Sequence, residues 1–442
     1  MAHGAALLLV VLSLLGDPEA PSAEVLTLDQ ALAEALQGNR SIASAQLQVQ
    51  RAEKQVGATK ALRLPNLDLE VLGGRLITPA EVTFPAGAMG VYPATGPIPG
   101  ADIDVQADKS NGAWIDATLA QPLTQLHKIG LAVELQELNR DIGREKLRGE
   151  RASVVNDVKR LYHSILQTQS ALAVARDQVA SSRELLRVVN EHVERKTALA
   201  SDRLDAEAAL AKHEYEAAST SNSLATQKQQ LNALLGREVG RDFSVVEIPD
   251  APQEVDVEAA VQRALQQRPD LKQARLQVDL AQADRSLKKA EYIPDLSLAV
   301  RYQTVINVDL LPRNVTAAGL LLKWEPLDWG RRGKQVAEKT LQLEQAKLFE
   351  RQAEDQVRID VATRAHTLQE SRLLLDAARL ARESAQAKLK VAQEQYKEQA
   401  ALLTDVLQAQ AALGESSAQY EKALLGFWAA KADLELATGE DY

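Results

Sequence analysis

The stretch Leu64-Pro65-Asn66-Leu67-Asp68-Leu69-Glu70-Val71 decides how this chain is read, because it occurs twice. Its counterpart, Ile293-Pro294-Asp295-Leu296-Ser297-Leu298-Ala299-Val300, stands 229 positions further on. Without a gap, the same offset sets Ala35-Leu36-Gln37 on Ala264-Leu265-Gln266 and Leu47-Gln48-Val49 on Leu276-Gln277-Val278. A second block repeats at 204 and 203. Pro122-Leu123 matches Pro326-Leu327, and Leu199, Asp202, Leu204, Ala206 and Leu210 match Leu402, Asp405, Leu407, Ala409 and Leu413. Gly236 and Gly439 close the two copies. A register held over so many positions is an internal duplication, and it sets the fold before any single element does. The expected division is a leader at 1–23, a first repeat at 24–240 and a second at 241–442.

Each copy opens with helical pattern that a proline stops, at Pro65 and Pro294. The period then changes from 3.6 to 2. Leu67, Leu69 and Val71 alternate with Asp68 and Glu70; Leu296, Leu298, Val300 and Tyr302 alternate with Ser297, Ala299, Arg301 and Gln303. A second strand follows in each copy, Ala113–Gln121 and Ala317–Glu325. The connection between them is longer in copy one by 229 − 204 = 25 residues, a Gly- and Pro-rich stretch over 73–112 read here as a loop. Next come long helices. Leu161, Ile165, Thr168, Leu172, Ala175, Val179, Ser182, Leu186, Val189 and Val193 step by four and three, a heptad seam. Such a rod, roughly 100 Å at ~1.5 Å per residue, needs neighbours along its whole length. It reverses near 198–202 and returns to Gly236; copy two does the same near 399–404, with an Ala-rich seam.

Composition narrows the classes. Apolar residues make up 45% but aromatics only 4%, so the apolar content is chiefly Ala, Leu and Val, as in long helices. A net charge of −10 argues against a nucleic-acid partner. With no cysteine there is no disulfide, thiolate nucleophile or zinc knuckle. Ala5–Gly16 reads as a secretory signal core, and no later stretch has the ~20 apolar residues of a spanning helix. The six histidines show no metal-ligand spacing and read as solvated helix residues; no cofactor, metal or catalytic constellation emerges. Four strands cannot close a barrel, and lipid does not tolerate an open edge. If these strands sit in a membrane, three copies of four strands give twelve, inside the known range.

The tandem repeat, the Leu64–Leu67 turn with its echo, and the hairpin motif Leu402-Leu403-Thr404-Asp405-Val406-Leu407 together resemble the TolC family of outer-membrane efflux proteins. The resemblance covers nearly the whole chain after the leader. It implies a mainly α fold with transmembrane β: a homotrimer whose twelve-stranded β-barrel in outer-membrane lipid continues as an α-helical coiled-coil barrel through the periplasm. It implies a passive exit duct, no enzyme, joined to an inner-membrane pump through a periplasmic adaptor. A periplasmic adaptor and a pore-free coiled-coil scaffold are the rivals; the duplicated strand pairs argue against both.

In that family, acidic residues after the hairpin turns ring a constriction at the periplasmic tip. Carried over, Asp405 takes the first acidic position, and Gln408 stands where a second Asp is frequent, halving the charge. Asp202 and Asp205 hold the comparable places after the first turn. Ala198, Leu199, Ala200 and Ser201, with Ala401, Leu402, Leu403 and Thr404, form the turns expected to meet the adaptor. The plainer reading of both Asp202 and Asp405 is a helix N-cap. Trp114, Tyr302 and Trp324 are expected in an aromatic girdle at the membrane interface, with core packing as the alternative.

Overall fold

The computed structural model describes residues 24–75, 77, 81–106, 111–246, 256–306, 313–398 and 400–440, so the expected leader lies outside the described residues. In chain order the elements are β1 (Glu24–Leu26), α1 (Leu28–Gly38), α2 (Arg40–Ala61), β2 (Asn66–Arg75), β3 (Glu81–Phe84), β4 (Val91–Tyr92), β5 (Gly96–Pro97) and β6 (Ile103–Gln106). There follow β7 (Asn111–Pro122), α3 (Gln125–Glu194), α4 (Ala200–Leu235), β8 (Phe243–Val245), α5 (Val257–Gln267) and α6 (Pro269–Ala290). The last four are β9 (Asp295–Ile306), β10 (Asn314–Lys323), α7 (Arg331–Lys397) and α8 (Leu403–Thr438). They divide into two compact units, each drawing on both copies of the repeat. One holds Met1–Ser44, Arg148–Arg268 and Gln356–Tyr442; the other holds Ala45–Leu147 and Pro269–Asp355.

In the first unit the short helices start on side-chain caps. Thr27 Oγ1 accepts from the Gln30 N–H, and Gln30 Oε1 accepts from the Thr27 N–H at 3.0 Å, a reciprocal capping box. Asp256 caps α5 by accepting from the Glu258 and Ala259 N–H groups. Small buried faces let these helices close on the hairpins: Ala31 and Ala35 in α1, Ala260 and Ala264 in α5. α1 packs on α4 and α5 on α8. α4 ends in a Schellman motif, with Gly236 at φ 76° and the Arg237 N–H donating to Asn232 O at 2.9 Å. Gly439 ends α8 with φ 73°. A Cβ on Gly236 would overlap the Gly38 carbonyl, and one on Gly439 would lie 2.9 Å from the Arg268 nitrogen. Both copies therefore need glycine where the returning helix meets the short-helix junction.

The α3 seam is covered as expected: Ile165, Leu172, Val179, Ser182 and Val189 are buried, and none of the ten seam positions is exposed. One element was not foreseen. β1 and β8 pair in parallel, and the Tyr162 hydroxyl holds them, lying 2.9 Å from Leu26 O and accepting from the Val246 N–H at 3.1 Å. The histidine expectation is corrected at two positions. His163 is buried and stacks on Trp428 with ring centroids 4.1 Å apart, and His213 Nδ1 lies 2.7 Å from the buried Ser182 Oγ. Around Val158, Tyr162 and Ile165, α3 is covered on more than its seam, so a heptad count underestimates what is inside.

The second unit carries a four-stranded sheet, antiparallel throughout, in the order β10-β9-β7-β2. The chain enters it through the repeated proline turns. Thr124 Oγ1 donates to Pro294 O at 2.6 Å and accepts from the Leu296 N–H at 2.8 Å, tying the end of β7 to the start of β9. β2 and β10 are the two edges. The 73–112 connection is not a bare loop. β3 pairs with β6 and β4 with β5, both antiparallel. Strands of two to four residues punctuated by Gly and Pro are too short to show a period-2 pattern in sequence.

Candidate functional site

Two places can carry function, the four-stranded sheet and the turns between the long helices. In the sheet, cross-strand register assigns every side chain to a face. One row runs Asp68, Thr118, Arg301, Ala317; the next on the same face runs Glu70, Asp116, Gln303, Val315. The Arg301 Nε donates to Asp116 Oδ2 at 2.6 Å across that face. The opposite face carries Leu67, Leu119, Val300 and Ala318, then Leu69, Ala117, Tyr302 and Thr316, then Val71 and Ile115. Leu67, Leu69, Val71, Leu119, Leu298, Val300 and Leu320 are all exposed, with Leu67 at 68%. A sheet with one charged and one uncovered aliphatic face suits lipid on one side and water on the other.

The three aromatics separate. Tyr302 lies on the aliphatic face, and Trp324 follows Leu320 and Leu322 one residue beyond β10; both are exposed. Trp114 lies on the other face: it pairs with Leu72 and Val305, in line with Asp116 and Thr118. An even-numbered position in β7 faces away from the aliphatic side, and aromatic identity cannot override the pleat.

The turns repeat each other in detail. The N-caps of α4 and α8 are Leu199 and Leu402, whose side chains have no acceptor; the N-cap reading of the aspartates is corrected accordingly. Asp202 and Asp405 sit three residues further, and their carboxylates reach back to accept from the cap N–H groups. The Leu199 N–H donates to Asp202 Oδ2 at 3.0 Å and the Leu402 N–H to Asp405 Oδ2 at 2.9 Å, half of a capping box at a helix N-terminus that favours negative charge. Ahead of the first turn, Lys196 takes φ 59°, and the Thr197 N–H donates to His192 O at 2.9 Å, a Schellman closure made without glycine. The Ala400 N–H donates to Gln395 O at 2.8 Å in the second.

Beneath the turns lies an apolar cluster of Val189, Ala206, Tyr396, Leu403 and Val406, flanked by Leu186, Val193 and Leu389, which joins α3, α4, α7 and α8. Of the residues assigned to the turns, Leu403 is buried here, while Leu199 and Leu402 are about 70% exposed and Ala200, Ser201 and Thr404 are also exposed. Ala198 and Ala401 are half-buried. Asp205, Asp405 and Gln408 are exposed and Asp202 half-buried. Burial pushes the Tyr396 phenol up, and the Asp202 charge adds to it. The cluster is not legible in the sequence because its members come from four helices, and of the residues named only Leu186, Val189 and Val193 stand in the α3 seam quoted above. Among the described residues no group of His, Cys, Asp and Glu is placed to hold a metal ion, and no helix is long and apolar enough to cross a membrane.

Comparison with known proteins matches this geometry. The fold is similar to a membrane protein from Pseudomonas aeruginosa, with TM-score 0.76 and 18% identity over 94% of this chain and 90% of that one. It is similar to the outer membrane protein VceC from Vibrio cholerae, with TM-score 0.73 and 17% identity over 94% and 96%. The Campylobacter jejuni outer membrane channel CmeC gives TM-score 0.75 and 15% identity over 93% and 85%. At these identities the likeness speaks for the fold alone. No curated sequence matches. The outer membrane efflux protein family model, however, matches residues 31–237 and 260–440, most of the chain and both copies of the repeat. The family is one of ducts and not of enzymes. The chain therefore belongs to the outer membrane efflux protein family and is a TolC-like efflux duct of the outer membrane that extends into the periplasm.

Proposed function

We propose that three copies of this chain close one duct, and that the duct receives its cargo from an inner-membrane pump through a periplasmic adaptor. The observation that carries this reading is the sheet: four strands, an aliphatic face on the outside of any closure, and two unpaired edges, β2 and β10. An open edge is not tolerated in hydrocarbon, so the β2 edge of one copy must meet the β10 edge of the next. Three copies satisfy every edge with twelve strands and put Asp68, Glu70, Asp116 and Arg301 on the water side. Tyr302 and Trp324 face lipid. The leader at 1–23 directs export, and the repeats at 24–240 and 241–442 are the two halves of one protomer.

Where the long helices reverse, the turns Ala198–Ser201 and Ala401–Thr404 meet the adaptor. Asp405, with Gln408, and Asp202, with Asp205, line the constriction of the closed tip. Exposed Leu199 and Leu402 at matching places give an adaptor two alike apolar footholds per copy. The experiment is single-channel conductance of the purified protein in a planar bilayer, with Asp405→Ala and Asp405→Asn as comparators. A small, stable conductance whose size or cation preference changes in both variants supports the reading. Asn keeps an acceptor for the Leu402 N–H, so a change confined to Ala assigns Asp405 to the cap alone. No pore from folded, oligomeric protein refutes the duct.

A further inference from the structure

The insertion between β2 and β7 has an uncovered apolar face that the duct reading does not use. The β3–β6 ladder pairs Val82 with Val105 and Phe84 with Ile103 on one face, and Glu81 with Gln106 and Thr83 with Asp104 on the other. Polar contacts tie the ladder and the turn it carries. Thr83 Oγ1 donates to Asp104 Oδ1 at 2.6 Å, the Ala86 N–H to Asp102 Oδ1 at 2.8 Å, and the Met89 and Ile98 N–H groups to Ile98 O and Gly90 O at 2.8 and 2.9 Å. Yet Val82, Ile103 and Val105 are exposed within their own chain, between 37% and 49%. A two-stranded hairpin is marginal alone and needs a covering surface on its apolar side.

We propose that this face is a self-association surface, on which hairpins from neighbouring copies of the chain pack against one another; the proposal rests on the trimeric reading above. Two observations select a second copy. The insertion joins β2, a free edge of the sheet, to its neighbour β7, so one of its two roots stands at the edge where one copy meets the next. Residues 81–106 carry Glu81, Asp102 and Asp104 and not one Lys or Arg, the opposite of what an anionic membrane surface recruits. Four side chains are far too little area to assemble free chains. Tethered to an assembly closed elsewhere, the contact forms at a high effective concentration and needs little area. Copy two has no such insertion, so a threefold assembly brings three equivalent faces to one mouth and narrows it.

The chain has no cysteine, so one introduced thiol reports one position. Val82→Cys and Thr83→Cys are neighbours on opposite faces of β3. Each full-length variant is extracted in detergent, sized by light scattering and oxidised with copper phenanthroline. In the trimer, Val82→Cys gives a dimer-sized band on a denaturing gel that couples at most two of three chains, and Thr83→Cys gives none. Trimers in which neither thiol couples, or both couple alike, overturn the surface and leave the duct standing. Absence of a trimer in the parent chain overturns both. A charge pair on the face, Val82→Asp with Val105→Asp, then raises single-channel conductance while the trimer persists; an unchanged conductance overturns the narrowing of the mouth.

Discussion

The glycine that ends α4 makes the sharpest test of how the hairpins are anchored. Gly236→Ala meets two penalties. At φ 76° an L-residue sits in the left-handed region, at about 1–2 kcal/mol. The new Cβ also overlaps the Gly38 carbonyl, which is backbone and cannot swing away; overpacking of this kind adds roughly 1–3 kcal/mol. The sum is about 2–5 kcal/mol. At ~2–4 °C per kcal/mol for a unit of this size, the apparent unfolding temperature falls by roughly 4–20 °C. Three more glycines dissect that number. Gly439→Ala has φ 73° and a Cβ 2.9 Å from the Arg268 nitrogen, so it falls nearly as far. Gly330→Ala has φ 82° with nothing within 4 Å, so it pays the backbone term alone. Gly240→Ala has no positive φ and no neighbour within 4 Å, and stays within about 0.5 kcal/mol of the parent. The assay is circular dichroism melting in detergent at constant protein concentration. If Gly236→Ala and Gly330→Ala lose the same amount, the close approach to Gly38 is not what requires glycine, and the argument fails.

Three further outcomes follow from charges and faces. With a single tryptophan retained and the others changed to Phe, brominated lipid quenches Trp324 and spares Trp114; equal quenching would refute the face assignment. Burial by itself would raise the Asp360 carboxyl, but hydrogen bonds from Arg268 at 2.7 Å and Arg364 at 2.7 Å outweigh it and hold it below the usual range. A depressed carboxyl contributes stability above its unfolded value of about 3.9 and loses it as pH falls through the folded value. Asp360→Asn therefore lowers stability by about 1–3 kcal/mol at neutral pH, and melting curves of variant and parent converge below about pH 4. Glu421 has the opposite sign: burial raises its carboxyl, and the Arg382 charge offsets this only in part. Its ionised form costs stability at neutral pH, so Glu421→Gln melts higher than the parent at pH 7, and the gain shrinks as pH falls towards about 4.

Much of this architecture is legible because periodicity and duplication are physical constraints visible in one dimension. The shift from period 3.6 to period 2 after Pro65 and Pro294 marks β2 and β9 because a half-wet sheet must alternate. The seam along α3 is visible because a long helix must bury one stripe. What escaped is what depends on three-dimensional neighbours. Residue type alone puts Trp114 with Tyr302 and Trp324, whereas its face follows from the register with Leu72 and Val305. His163 looked solvated because no spacing announces a ring stacked on Trp428, 265 residues away. The aspartates at the turns looked like N-caps because Asp favours that position, but leucine holds it and the carboxylate acts from the first turn of the helix.

The two copies also explain the insertion better than either does alone. The register slips by 229 − 204 = 25 residues between the proline turns and the end of the second strand, and the added hairpin, from Glu81 to Gln106, is longer than that by one. On either side of it, β2 with β7 and β9 with β10 both keep antiparallel ladders from the proline turn onward, Asn66 pairing with Ala120 and Asp295 with Lys323, one residue out of step at the offset of 204. A stretched loop would have no reason to alternate Val82 and Phe84 against Val105 and Ile103, or to set Thr83 on Asp104. An element with two chemically distinct faces, present in one repeat alone, fits a constraint from outside its own chain. On the assembly proposed above, that constraint lies at the boundary between neighbouring protomers, where β2 must find a partner.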